Sequence, residues 1–254
     1  MENDIQRKTA VVTGSTKGIG QAIALRLARE QYNVVLNYAS DDVAAQETFR
    51  RCQQETSHVL LVKADVSNKQ AVEALMQTCV QTFHSLDVLV NNAARVIDKS
   101  VSEMSEQDWD QVIDTNLKGT FLCAQVASSY MLQQQEGGII LNIGASTGIR
   151  GRKHGINTCA SKAGILVMTQ CLALELGPKI RANTIIPGLT YTEETERRFH
   201  LDNPDVLHAR TENIPLQRIG MPEDIANAVM LLLSDNASFI NGQKIIVDGG
   251  QYMW

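Results

Sequence analysis

Seven short runs rich in β-branched residues, at positions 9–13, 33–38, 59–63, 86–91, 138–143, 180–186 and 243–247, are separated by longer stretches of helical periodicity. That rhythm constrains the fold most, because parallel strands need long crossover connections, and these are usually helices. Between the third and fourth runs, Ala71, Val72, Leu75, Met76, Cys79, Val80 and Phe83 recur at the spacing that puts them on one side of a helix, the side that lies on a sheet. No internal repeat or low-complexity linker interrupts the pattern. The expectation is an α/β fold, one doubly wound domain over residues 1–254 with a seven-stranded parallel sheet. After the sixth run, Pro187 and Gly188 stop the strand, and a polar, charged stretch from about 190 to 210 breaks the rhythm. It reads as a mobile insertion, a lid over a pocket.

The first run leads directly into TGSTKGIG, with Gly14, Gly18 and Gly20, and then into a helix whose apolar positions include Ile23, Leu25 and Leu27. Glycines permit a tight turn and close approach of the backbone. A helix N-terminus offers free N–H groups and positive dipole to a pyrophosphate. Gly14, Ser15, Lys17, Gly18, Ile19 and Gly20 are therefore candidate cofactor residues and a dinucleotide the natural ligand. The plainer alternative is three glycines in a surface turn.

The spacing GxxxGxG resembles the short-chain dehydrogenase/reductase family, and the resemblance continues over about residues 7 to 250. Asp65 and Val66 look like that family's adenine-contacting pair. LDVLVNNAA, with Asn92 and Ala93, looks like its cofactor strand, Ala94 standing where the family has glycine. Asn116 in TNLKG matches a structural and proton-relay asparagine. Pro187, Gly188, Thr190 and Thr192 match the nicotinamide-side segment, and INGQKIIVDGG resembles the last strand. Carrier-protein β-ketoacyl reductases and sugar or polyol dehydrogenases look most similar. The resemblance implies a Rossmann fold, hydride transfer to a small molecule and a homotetramer or homodimer.

Charge bears on which dinucleotide is used. An NAD site places a carboxylate about 20 residues after the glycines, at the end of the second strand. Here that stretch is Asn37, Tyr38, Ala39 and Ser40. An absent acid, a cation at Lys17 and a hydroxyl at Ser40 favour NADP(H). Against this, Lys17 is also readable as a solvated surface cation, and Asp41 or Asp42 as a ribose partner.

The catalytic set is incomplete. The resemblance implies a serine, a tyrosine and a lysine, the tyrosine four residues before the lysine. Lys162 fits and also serves the cofactor, but Thr158 occupies the tyrosine position and Ala145 the serine position. Threonine cannot replace a phenol, whose pKa of about 10 a neighbouring cation can lower. Ser146 substitutes for the serine only if the loop shifts, since adjacent extended residues point to opposite sides. His154 is a possible replacement acid or merely a loop histidine. Tyr191 is a possible replacement phenol or a packing residue, and Arg150, Arg152 and Lys153 form a basic cluster that either meets an acidic substrate or is simply solvated.

Three functions follow: an NADP(H)-dependent oxidoreductase with a non-standard site, suited to an imine, an iminium ion or another specialised small molecule; a non-redox NADP-binding pseudo-enzyme or catalyst of a non-redox step; and an inactivated variant of an ordinary carbonyl reductase. The 23 Lys+Arg against 28 Asp+Glu supply no general basic face for nucleic acid. Five widely spaced cysteines without a C-x-x-C pair read as reduced thiols, and the histidines lack ligand spacing, so no metal is expected. A polar N-terminus and the lack of an apolar run near 18 residues point to a cytoplasmic protein with no signal and no membrane partner.

Overall fold

The computed structural model describes residues 7–253. Most of the polar N-terminal stretch read above for a signal, residues 1–6, and Trp254 lie outside the described residues. In chain order the elements are β1 (Thr9–Val12), α1 (Gly18–Arg29), β2 (Asn33–Tyr38), α2 (Asp42–Gln53), β3 (Val59–Lys63), α3 (Lys69–Phe83), β4 (Val88–Asn91), α4 (Glu106–Ile113), α5 (Gly119–Met131), β5 (Gly138–Ile143), α6 (Thr147–Arg150), α7 (Ile156–Leu176), β6 (Ile180–Pro187), α8 (Glu193–Phe199), α9 (Pro204–Thr211), α10 (Pro222–Leu233) and β7 (Lys244–Val247); a π-helical turn, Asp114–Lys118, joins α4 to α5. The strands form one seven-stranded sheet in the order β3-β2-β1-β4-β5-β6-β7, every pair parallel.

Successive residues of a strand face opposite sides of the sheet, and here both sides are covered. Ala10, Val12, Val34 and Leu36 pack with Ile23 and Leu27 of α1 and Val229 of α10. Val11, Val35 and Leu89 pack with Leu75 of α3 and Leu122 of α5. This is why the strands read as continuous apolar runs. The strand order reverses between β1 and β4, and the crevice beyond their C-terminal ends is where such sheets bind ligands.

β4 begins at Val88, two residues later than the apolar run suggested. The Leu86 backbone is satisfied by a side chain, its N–H donating to Gln134 Oε1 at 2.8 Å and its carbonyl accepting from Gln134 Nε2 at 3.1 Å. The stretch after β6 is helical, as α8 and α9, around a small core of Leu201, Ile214 and Ile219. α7 is long and apolar enough, by length and composition, to cross a membrane, contrary to the expectation that no segment approached this. Here it packs along β6 and buries Thr158, Ser161, Lys162, Ile165 and Thr169. A polar chain fixes its rotation: Asn91 Nδ2 donates to Asn142 Oδ1 at 2.9 Å, Asn142 Nδ2 donates to Thr169 Oγ1 at 2.9 Å, and the Thr169 and Thr184 hydroxyls are 2.7 Å apart.

Candidate functional site

The glycine turn is built around positions where a side chain has no room. Gly14 has φ +58°, and a Cβ there would lie 2.8 Å from Ala93 Cα. A Cβ on Gly20 would lie 2.3 Å from the Gly14 carbonyl oxygen and 2.4 Å from Asn92 Nδ2. The turn is sewn to β4: Thr13 Oγ1 accepts from Asn92 N at 3.0 Å and Ala93 N at 3.1 Å, and Asn92 Nδ2 donates to the Gly14 carbonyl at 2.8 Å. Ser15 is buried and ties the turn to β2, its Oγ accepting from Asn37 N at 3.0 Å. Ile19 packs on the core. Lys17 precedes α1 and its side chain makes no capping bond, so the first-turn N–H groups of Gly18, Ile19 and Gly20 have no side-chain acceptor. Four features thus fit a pyrophosphate: left-handed glycines, close backbone approach, uncapped donors and an adjacent cation.

Beside the end of β2, Lys17 Nζ lies 2.8 Å from Asp41 and 3.8 Å from Glu193. Asp41, read above as a possible ribose partner, is here paired with Lys17 instead. The Tyr38 hydroxyl donates to Asp42 at 2.9 Å, which also pairs with Lys63 at 3.0 Å, while Ser40 is exposed. Asp65 accepts from Ser67 N at 2.9 Å, and Val66 is buried. A groove of about 420 Å³ between Asp65, Arg95 and α4 is rimmed by Glu106, Asp110 and Asp114 and does not reach Thr158 or Lys162. Its carboxylates suit a nucleotide poorly.

At the other end, Lys162 is buried and its Nζ donates to the carbonyl of Ile143, the last residue of β5, at 2.6 Å. Burial pulls its ammonium from an ordinary 10.5 down to about 8. Thr158 lies one turn earlier on the same face of α7, buried, its hydroxyl donating weakly to Asn157 Oδ1 at 3.5 Å. Asn116, in the π turn, accepts from Arg95 N at 2.7 Å and donates to the Arg95 carbonyl at 3.0 Å and to Ser161 Oγ at 3.2 Å. Ala145 follows β5 by two residues, half-buried. Pro187 ends β6, and a Cβ on Gly188 would lie 2.5 Å from Asp248 Cβ. Thr190 is buried, and Thr192 caps α8, accepting from Thr195 N at 3.1 Å. The Thr192 methyl would sit 3.1 Å from a Cβ on Gly18, so the start of α8 rests on the glycine turn.

A family model described as enoyl-(acyl carrier protein) reductase matches residues 14–251. The chain is 39% identical to glucose 1-dehydrogenase 2 of Bacillus subtilis over 256 residues, covering 100% of this chain and 98% of that one. It is 40% identical to a 3-oxoacyl-(acyl-carrier-protein) reductase of Staphylococcus aureus over 247 residues (97% and 98%), and 37% identical to 3beta-hydroxysteroid dehydrogenase 1 of Eggerthella lenta over 255 residues (100% and 97%). The chain belongs to the short-chain dehydrogenase/reductase family.

The side chains singled out as substitutes in this short-chain dehydrogenase/reductase are placed differently from one another. His154 is exposed, with φ +59°, and its carbonyl accepts from Lys99 N at 2.9 Å. The Tyr191 hydroxyl donates to Glu196 of α8. Ser146 does not sit in extended backbone, as the side-chain alternation argument assumed; its φ −56° and ψ −29° are helical and open α6. The basic cluster is dispersed. Arg150 stacks 3.8 Å from the centre of the Tyr252 ring, Lys153 is exposed, and Arg152 makes two 2.6 Å bonds to Asp98. Arg198 of α8 reaches the same Asp98 carboxylate, so one acid joins α8 to the loop before α7. Asp98 carries no motif, and only folding brings it to Arg152 and Arg198; Ser161 stands next to Lys162 in the chain and gives no separate signal, because its role is to meet Asn116.

Proposed function

We propose that the chain is an NADP(H)-dependent oxidoreductase with a non-standard active site, in which Thr158 and Ala145 stand where relatives carry tyrosine and serine, and that its acceptor is an imine, an iminium ion or a similarly specialised small molecule. The single observation that carries this reading is Lys162, buried beside a threonine too short and too weakly acidic to serve as the phenol. When bound, the nicotinamide supplies a hydride. The chain's part is then to bind and orient, through the glycine turn, Lys17, Asn92, Pro187 and Gly188, with Asn116 and Lys162 holding the polar end. An acceptor that already carries positive charge needs no acid on its heteroatom, which suits a site without tyrosine.

Calorimetry with NADPH and NADH, followed by turnover of N-methyl-1-pyrrolinium and of a small β-ketoester, tests it. The expected result is tight NADPH binding with reduction of the iminium and little of the ketone. Tight binding with no turnover of either favours the non-redox alternative. Exposed apolar side chains on α5 and α7, among them Phe121, Ile156, Val167 and Leu174, support a homotetramer or homodimer through these helices, testable by sedimentation. Cys52, Cys79 and Cys123 are buried free thiols that burial pushes up to about 12, in keeping with a reducing, cytoplasmic setting.

A further inference from the structure

The turn that follows β7 is pressed against the segment that follows β6. Gly188 N donates to the Val247 carbonyl at 2.9 Å, and a Cβ on Gly188 would lie 2.5 Å from Asp248 Cβ and 2.7 Å from Asp248 Cα, so the two backbones are in direct contact. Leu189 N adds a bond to Gln251 Oε1 at 3.3 Å. Asp248 also fixes its own turn, one carboxylate oxygen accepting from Gly250 N at 2.9 Å and the other from Tyr252 N at 2.7 Å. The residue that touches Gly188 is therefore the residue that holds Tyr252.

Tyr252 in turn meets α6. Arg150, the last residue of that helix, donates from Nη2 to the Tyr252 hydroxyl at 2.7 Å, and its guanidinium carbon lies 3.8 Å from the ring centre. α6 has four residues and buries none of them, so it is held by what it touches rather than by a core of its own. One hold is Gly148, where a Cβ would lie 2.7 Å from the Lys162 carbonyl carbon; the other is Arg150 on Tyr252. Ala145 leads straight into α6, its carbonyl accepting from Gly148 N at 3.0 Å. The paired residues of β5 and β6 end at Ile143 and Ile185, short of both Ala145 and Gly188. Beyond the ladder, the two sides of the site are joined through Asp248, Tyr252 and Arg150.

We propose that Tyr252 is a positioning residue, coupling the Gly188 segment to the loop at 145–151 so that a cofactor seated against Gly188 orders the acceptor side. This rests on the dinucleotide reading of the site and deepens it by naming the side chain that ties its two sides together. No bond is made or broken: order at Gly188 passes through the Asp248 backbone to Tyr252, and from its ring and hydroxyl to Arg150. Hydride transfer needs donor and acceptor aligned, which a loose acceptor loop would prevent.

Hydrogen exchange of the amides at 146–151 tests it. NADP⁺ and NAD⁺ are first titrated into the full chain by calorimetry, and the one that binds is used at saturation. In the unmodified protein it is expected to slow exchange over 146–151 by about five-fold or more. Tyr252→Leu is expected to abolish that slowing while changing nucleotide affinity by less than about three-fold. Tyr252→Phe, which keeps the ring against the guanidinium, is expected to retain most of it. Arg150→Gln breaks the same link from an exposed position and is expected to match Tyr252→Leu; it decides the matter if the leucine variant exchanges fast throughout the sheet. Slowing that persists in Tyr252→Leu and Arg150→Gln overturns the proposal, as does equal loss in Tyr252→Phe and Tyr252→Leu, or an unmodified protein whose 146–151 amides ignore the bound nucleotide. Binding of NAD⁺ alone removes the NADP assignment, and the exchange measured with NAD⁺ then decides the proposal. Binding of neither removes the dinucleotide reading and the proposal with it.

Discussion

Lys162 Nζ is joined to the Ile143 carbonyl at 2.6 Å, so the middle of α7 is tied to the last residue of β5 through a buried cation. Such a cation opposes folding. Between about 8 and 10.5 the unfolded chain holds the proton that the folded chain has lost, and the stability of the protein therefore rises with pH across that window. Below about 8 the penalty is present in full, on the order of 3 kcal/mol. Lys162→Met removes it and leaves the Ile143 carbonyl without its partner, an opposing loss of about 1 kcal/mol. Urea unfolding at pH 7 is expected to show the variant more stable by about 2 kcal/mol, an advantage that fades toward pH 10. A variant less stable than the parent at pH 7 contradicts the buried ammonium.

The pairing of Lys17 with Asp41 bears on cofactor choice. Lys17→Ala is expected to weaken NADPH binding roughly ten- to a hundred-fold and to leave NADH almost unchanged, because only the 2′-phosphate needs the cation. Asp41→Asn keeps the α2 cap, which accepts from Ala44 N at 3.0 Å, while removing a carboxylate that competes for Lys17. It is expected to tighten NADPH about two- to five-fold. Calorimetry reads both, and equal affinities of the unmodified protein for the two cofactors would sink the NADP assignment.

Thr158→Tyr together with Ala145→Ser is expected to give measurable reduction of a small β-ketoester, with Asn116 and Lys162 already in place. A general acid contributes roughly 10²- to 10⁴-fold and an oxyanion donor about 10²- to 10³-fold. The two gains act on one transition state and should not multiply simply. Brisk ketone reduction by the unmodified protein refutes the non-standard reading; a silent double variant means that the pocket around these positions is shaped for something else.

Asp98 is shared by Arg152 and Arg198. Asp98→Asn leaves two arginines with no carboxylate between them, and the link from α8 to the loop before α7 weakens. Backbone hydrogen exchange over residues 193–199 is expected to quicken about ten-fold, with the amides of β1 and β4 unchanged. Uniform acceleration through the sheet would instead mark a global loss of stability.

What could be read in advance was local. The strand runs are apolar because both sheet faces are covered, and the glycine turn is recognisable because each glycine answers a nearby backbone constraint. Thr158 and Lys162 are one helical turn apart, so their relation is written in their spacing. Asp98 meets Arg152 and Arg198 from 54 and 100 residues away, and no local pattern marks that meeting. The cation sequence at 150–153 suggested one patch; folding sends Arg150 to Tyr252 and Arg152 to Asp98. The helices α8 and α9 leave no local signal for a related reason: both are short, with no buried residue of their own, and the buried residues there, Leu201, Ile214 and Ile219, come from the loops around them.

The π turn at Asp114–Lys118 holds one residue more than an α-helix would need over the same rise. Asn116 sits within that surplus, which lets its amide meet both Arg95 and Ser161. A single-residue deletion here would do more than shorten a connection. Each residue turns a helix by about 100°, so everything after the deletion would rotate by that amount relative to α4. Leu122, Cys123 and Ala127, now against the sheet, would swing away from it, and Phe121 would no longer face solvent as it does now. The Asn116 amide and the outer face of α5 therefore share one phase, and evolution cannot trim the first without re-indexing the second.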